Sequence, residues 1–180
     1  LAGSVAQLLA AGKVVARADG RMEYGPRALG NRTVMAACSD PSINQWLNKK
    51  FVRTEFMPFA PVILEEHAKE YFPTWQEDHF TARYMTITYD VSEVAKKNIP
   101  AAVHVDNTAR PQVIRREDNR DYYDIVSEYN KLTGVPSVIN TSFNMHEEPI
   151  VRTADDALRA FQAAKLDALI LGPFLLHLNA

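Results

Sequence analysis

Asp121-Tyr-Tyr-Asp-Ile-Val-Ser-Glu-Tyr-Asn-Lys-Leu-Thr-Gly-Val-Pro-Ser-Val-Ile-Asn-Thr-Ser-Phe-Asn144 divides at its one glycine into two patterns. Before Gly134 the spacing of Tyr122, Ile125, Val126, Tyr129 and Leu132 predicts a helix over 121–133. Gly134 ends it. Val135 to Ile139 then reads as a short buried strand, and it runs directly into the hydrogen-bonding side chains of Asn140, Thr141, Ser142 and Asn144. Helix, stop, buried strand and polar loop together form the repeating unit of an α/β sheet, and such sheets bind ligands beyond the carboxyl ends of their strands.

Outward from this unit the scheme repeats. Thr153 with Asp156 three residues on is a box-like helix start, Ala157, Leu158, Phe161 and Ala164 line one face, and Leu169 to Leu171 is the strand that follows. Upstream, Ser4 to Ala11 reads as a helix closed by Gly12, and Lys13 to Ala18 as a strand. Asp40-Pro41 starts a short helix to about Lys50, with Ile43, Trp46 and Leu47 inward. Prolines open the stretch Phe56 to Leu64, and a strand follows. The aromatics and acids of Tyr71 to His79 read as a mobile connection. Short strands are expected at Arg83–Tyr89, Ala101–Val105 and Gln112–Arg115, so part of the sheet should be antiparallel. The expectation is a single α/β domain over 1–180, a twisted mixed parallel/antiparallel sheet with flanking helices.

Composition narrows the function. A chain of 180 residues is long enough to remove roughly 70% of its unfolded surface from water. Its 20 Lys+Arg against 22 Asp+Glu leave a formal charge of −2, without the basic footprint of a nucleic-acid binder. Cys38 stands alone, so no intrachain disulfide forms, which suits a reducing cytoplasm. No stretch approaches the roughly 20 apolar residues of a membrane span. The chain opens at Leu1 within an apolar-periodic run, as a piece of a longer protein would.

Three loops carry the chemistry. Gly25-Pro-Arg-Ala-Leu-Gly-Asn-Arg32 has the glycine spacing of a P-loop, but Asn31 stands at the phosphate-bridging lysine position and Pro26 removes an amide. What remains is a rigid loop displaying Arg27 and Arg32, whose planar forks suit phosphate or carboxylate. Glu23 is near enough to orient one of them, and pairing with a local acid competes with anion binding as their role. Thr108-Ala-Arg110 lies between two expected strands and suits either an anion site or a solvated loop. The preceding His104-x-Asp106 would put both side chains on one face of a strand, too few for a closed metal site. A hydrogen-bonded pair that positions the loop is expected instead. Asn140-Thr141-Ser142-x-Asn144 suits a ligand loop or a turn. Lys49, Lys50 and Arg53 precede the rigid Pro58-Phe-Ala-Pro61 block and bring a cation to it. His67, His79, His146 and His177 show no partner spacing.

Taken jointly, these segments resemble the carbamoyltransferase family of nodulation-type and antibiotic-tailoring O-carbamoyltransferases, in its C-terminal domain. The carrying residues are Gly20 to Arg32, Arg53 to Pro61, His104 to Gln112, Asn140 to Asn144 and Glu148 to Val151, in the expected order over nearly the whole chain. The resemblance implies a YrdC-like fold that uses carbamoyl phosphate, ATP and Mg²⁺ to make carbamoyl-adenylate. An N-terminal ASKHA-type, Kae1-like domain of the same full-length protein, absent from this chain, would then transfer the carbamoyl group to an acceptor hydroxyl. By the same resemblance Arg27, Arg53, Arg110 and Ser142 are catalytic, and Arg32, Lys50, Thr108, Asn140, Thr141 and Asn144 bind the nucleotide. Either Lys50 or Arg53 fills the family's cationic position, because Phe51 stands where many relatives have lysine. Asn107 and Glu147 each replace a usual glycine.

Such chemistry needs cations to bring two anionic reactants together and little covalent participation by protein. The absence of a Ser-His-Asp or Cys-His arrangement agrees with that. Two other readings stand beside it: a non-catalytic nucleotide-binding or docking module that completes a partner domain's site, and a threonylcarbamoyl-adenylate synthase-like enzyme.

Overall fold

Strands from both halves of the chain interleave in one sheet, so distant loops meet at its end. The computed structural model describes residues 1–51 and 59–178. In chain order its elements are α1 (Ala2–Ala10), β1 (Val15–Ala18), β2 (Arg32–Ala37), α2 (Ser42–Lys50), β3 (Ala60–Leu64), α3 (Glu65–Tyr71), β4 (Tyr89–Asp90) and α4 (Glu93–Asn98). There follow β5 (Thr108–Ala109), β6 (Gln112–Ile114), α5 (Arg120–Thr133), β7 (Ser137–Ser142), α6 (Ala154–Ala164), β8 (Ala168–Leu171) and β9 (Phe174–His177). The large sheet has the order β6-β3-β7-β2-β1-β8-β9, and β4 with β5 forms a small second one. β3 runs parallel to β6 and β1 to β8, whereas the other neighbours are antiparallel. The mixed sheet expected from the sequence is what forms.

Helical periodicity decides which side chains cover it. On one face Val5, Ala6 and Leu9 of α1 pack with Tyr122, Ile125, Val126 and Tyr129 of α5. The opposite face is closed by Leu47, Ala68, Tyr71, Ala95, Ala157 and Phe161, from α2, α3, α4 and α6. Asn119 caps α5 by accepting from the Tyr122 amide at 3.2 Å, and Gly134 closes it at φ +74°. Thr153 and Asp156 form the reciprocal box at the start of α6. Cys38 is core, its thiol pushed up to about 12 by burial, outweighing a hydrogen bond from Ser137. Among the described residues no helix is long and apolar enough to cross a membrane.

Several expected elements differ. β2, at the centre of the sheet, and β9, at its edge, were not anticipated, because Arg32 and Thr33 open β2 with polar groups and Phe174 and His177 of β9 are exposed. Residues 83–89 do not form a strand. A 3-10 turn spans Phe80–Tyr84, Met85 follows at φ +54°, and only Tyr89 and Asp90 pair, with β5. Residues 101–105 are not a strand either, since Pro100 opens a 3-10 turn and Asn107 at φ +62° reverses the chain, letting the His104 amide donate to the Thr108 carbonyl at 2.7 Å. The connection at 71–79 supplies core, with Tyr71, Phe72 and Trp75 buried.

Both positions where glycine is usual have left-handed backbone, Asn107 at φ +62° and Glu147 at φ +60°. Asparagine tolerates that region, whereas glutamate meets a Cβ penalty there of roughly 1–2 kcal/mol, partly offset by glycine's greater unfolded-state entropy. Glu147→Gly should therefore stabilise the chain by about 1 kcal/mol, read as a rise in melting temperature of about 3 °C. Asn107→Gly should leave the melting temperature nearly unchanged. An equal response at both positions would show that the side-chain type is irrelevant there.

Candidate functional site

Register brings the loops together. Thr33 at the start of β2 lies opposite Ser142 at the end of β7, and Ala60 at the start of β3 lies opposite Asn140. Gln112, which opens β6, stands beside Val62 of β3. The loops before β2 and β6, the start of β3 and the loop after β7 therefore share one end of the sheet.

A buried amide relay ties three of them. Asn140 donates through Nδ2 to the Ala28 carbonyl at 2.9 Å and to Gln112 Oε1 at 2.6 Å. Its Oδ1 accepts from the Thr33 hydroxyl at 3.1 Å. Gln112 donates from Nε2 to the Leu29 carbonyl at 3.0 Å. Asn140 is 2% exposed with both Nδ2 hydrogens and its oxygen engaged, so it organises the loops and holds no donor free for a nucleotide.

The first arginine loop is held from inside. Glu23 Oε1 accepts from the backbone amides of Leu29, Asn31 and Arg32 at 2.7, 2.6 and 3.2 Å. An amide concavity of this sort is a ready anion site, and here the protein's own carboxylate fills it. Glu23 thus orients the backbone of the loop and not, as expected, an arginine fork. Arg32, the other arginine of this loop, is engaged throughout by backbone. Its side chain is buried and all five N–H groups are engaged, with the carbonyls of Val151, Asp19, Asn31, Gly20 and Arg152 at 2.9–3.2 Å. Burial holds its pKa below the ordinary value, against the opposing fields of Glu23 and Asp19. It is a clamp between the β1–β2 loop and the segment before α6.

Arg17, which sequence reasoning missed, is a second clamp. It is 3% exposed on β1 and donates to the Gly30 carbonyl at 2.6 Å, to Asn31 Oδ1 at 3.0 Å and to Asp19 at 2.7 Å. An arginine inside the apolar run Val14-Val-Ala-Arg17 was the available signal, since a buried guanidinium requires a complete set of partners. Asn119 extends the scaffold from α5, donating to Asn31 Oδ1 at 2.8 Å.

Arg27 and Arg110 are different. Neither side chain has a hydrogen bond or ion pair to another described residue; the same holds of Arg21 and Arg152, whereas Arg17, Arg32, Arg83, Arg115, Arg116, Arg120 and Arg159 all have one. Arg27 and Arg110 are close enough to feel each other: burial, and then the like charge of Arg27, push the Arg110 guanidinium below its usual range. The first and second motifs thus bring together two cations that no acid among the described residues pairs with.

The turn before Arg110 is built from hydrogen bonds. Asp106 Oδ1 accepts from the Thr108 hydroxyl at 2.8 Å and amide at 3.0 Å. With that hydroxyl donating to Asp106, its oxygen accepts from His104 Nδ1 at 3.0 Å, which places the proton of the neutral ring on Nδ1. Burial lowers the His104 pKa, Asp106 raises it and Arg110 lowers it again. His104 and Asp106 therefore both position the loop as expected, through Thr108 and on a turn. The Thr108 hydroxyl assigned to the nucleotide is taken up within that turn.

At the third motif Ser142 Oγ donates to Asn144 Oδ1 at 2.6 Å, and Asn144 Nδ2 donates to the carbonyls of Met145 and Glu148 at 2.9 and 3.1 Å. Asn144 shapes the loop that presents Ser142. Thr141 lies on β7 opposite Val34. Lys50 stacks its ammonium 5.0 Å from the Trp46 ring centroid, in a hollow shared with Lys49, Ala163 and Lys165 on the α6 side. Arg53 lies outside the described residues. The last described residue before it, Phe51, receives the His146 amide on its carbonyl at 3.2 Å, at the loop that follows β7.

Known proteins share this fold. Full-length HypF, solved in a phosphate- and nucleotide-bound form, superimposes with a TM-score of 0.65 at 18% identity, covering 94% of this chain and 20% of HypF. A variant of P. abyssi Sua5 does so with a TM-score of 0.62 at 16% identity, covering 94% of this chain and 45% of Sua5. Those likenesses establish a YrdC-like fold. The nodulation protein NolO of Bradyrhizobium diazoefficiens is 39% identical over 181 residues, which take in 98% of this chain but 32% of NolO, so the chain spans about a third of that relative's length. Residues 6–177 match the family model described as carbamoyltransferase C-terminus, and the chain belongs to that family.

Proposed function

We propose that the chain forms carbamoyl-adenylate from carbamoyl phosphate and ATP, as the C-terminal part of an O-carbamoyltransferase. One observation carries the reading: the loops of Arg27 and Arg110 are tied together, Arg27 is near enough to act on Arg110, and neither has an acidic partner among the described residues. A like charge beside the half-buried Arg110 raises the cost of keeping it charged, and a polyanion relieves that cost. In this reaction carbamoyl phosphate yields its phosphate to water. A carbamate oxygen then bonds to the α-phosphorus of ATP as the bond to pyrophosphate breaks. The two arginines bind the phosphates and stabilise charge developing in transfer, and Ser142 orients the nucleotide. Arg53, or Lys50, adds the cation of the fourth loop.

Among the described residues no three His, Cys, Asp or Glu side chains gather as a metal site would require. Mg²⁺ in this reading arrives as the counterion of the nucleotide, and no step is assigned to it. The acceptor step belongs to a Kae1-like N-terminal domain of the longer cytoplasmic protein. Tyr24 and Val105, wholly exposed on the two loops that carry Arg27 and Arg110, give such a domain apolar surface to cover.

Exchange of labelled pyrophosphate into ATP that depends on carbamoyl phosphate is the expected result with this chain. A nucleotide-binding docking module shows no exchange under any substrate. Exchange that requires bicarbonate and threonine in place of carbamoyl phosphate would assign the chain to threonylcarbamoyl-adenylate synthesis.

A further inference from the structure

Two guanidinium groups that repel one another stay together only if their loops are tied. The tie is a pair of carboxamides. Gln112 is 4% exposed and follows Arg110 by two residues, and Asn140 is 2% exposed on the neighbouring β7. Between them they hold the carbonyls of Ala28 and Leu29, the two residues that follow Arg27. The 2.6 Å bond from Asn140 to Gln112 closes the link. Hydrogen bonds in a dry interior are directional and strong, so this link transmits the position of one loop to the other.

We propose that Gln112, acting with Asn140, is a positioning residue that fixes the separation of Arg27 and Arg110 so that both engage one phosphate-bearing anion. The proposal rests on the reading of that pair as an anion site. It does not require that adenylate chemistry follow. Gln112 touches no ligand itself. Its contribution is geometric, and it is separable from its contribution to stability because the coupling between the two arginines is read directly, whatever the melting temperature of the variant.

The test is pyrophosphate binding by calorimetry, with melting temperatures recorded in parallel. Gln112→Met should weaken pyrophosphate at least 10-fold and lower the melting temperature. The double variant Gln112→Met/Asn140→Leu leaves the Ala28 and Leu29 carbonyls without these donors, so its melting temperature should stay low and its affinity weak. In the wild-type background Arg27→Ala and Arg110→Ala should act non-additively on pyrophosphate affinity, and in the Gln112→Met background additively. Wild-type pyrophosphate affinity in either Gln112→Met variant, or non-additivity that survives Gln112→Met, overturns the positioning role. Neither result bears on exchange activity. Conversely, tight and coupled pyrophosphate binding without exchange would overturn the adenylate reading and leave Gln112 in its place.

Discussion

Arg110→Ala is expected to lower the proposed carbamoyl-phosphate-dependent pyrophosphate exchange by about 10²-fold or more and to leave the fold intact. The magnitude is that of losing one preorganised donor aimed at developing charge, about 2.7 kcal/mol at the low end. The direction of the stability change makes the prediction sharper. In the folded chain, burial and Arg27 both disfavour the charged form of Arg110, and no acid among the described residues compensates. An arginine whose folded pKa is depressed takes stability away throughout the range in which it is charged, which for guanidinium includes every ordinary pH. Removing it should therefore hold or raise the melting temperature while activity collapses. Loss of both together would mean that Arg110 is part of the scaffold, and full activity would remove it from the site.

The contrast with Arg32 shows why sequence ranks arginines poorly. Both belong to expected anion-binding motifs, and Arg32 occupies the loop that most resembles a phosphate cradle. The difference lies in five carbonyl oxygens contributed by Asp19, Gly20, Asn31, Val151 and Arg152, which only the folded chain assembles. Asn140 teaches the same lesson with one amide. Periodicity revealed α1, α5 and α6 and the strands between them, because a helix that buries one face must repeat its apolar residues every three or four positions. It could not reveal β2, a central strand whose first residues are polar because they belong to the site. Nor could it separate strands from turns at 83–89 and 101–105, where short apolar runs are compatible with either and Met85 and Asn107 decide by taking left-handed backbone. Convergence of the three loops was legible, since each follows or precedes a strand of one sheet. The division of labour within them was not.

Gly30→Ala is expected to be the most damaging single-atom change in the scaffold. Gly30 has φ +121°, a backbone region that a side chain rarely adopts, and a Cβ built there would lie 2.4 Å from Cδ1 and 2.8 Å from Cγ of the Tyr122 ring, with Asn119 Nδ2 at 2.9 Å. The ring cannot withdraw cheaply, because Tyr122 is fully buried between α5 and the sheet. Asn119 is fixed as the cap of α5 and by its bond to Asn31. Gly25 supplies the control, since it has a nearly equal φ of +119° but open space around its Cα. Backbone strain alone should cost Gly25→Ala about 2 kcal/mol. Overpacking adds a similar amount at Gly30, for about 4 kcal/mol in total and a fall in melting temperature of roughly 10 °C. Because the Gly30 carbonyl receives Arg17 and its amide donates to Thr33, the displaced backbone also loosens the clamp and the amide relay. Pyrophosphate affinity should fall with stability in Gly30→Ala and less so in Gly25→Ala. Equal melting temperatures for the two variants would mean that close packing of the loop against Tyr122 does not hold it, and the scaffold argument for the arginine pair would fail with it.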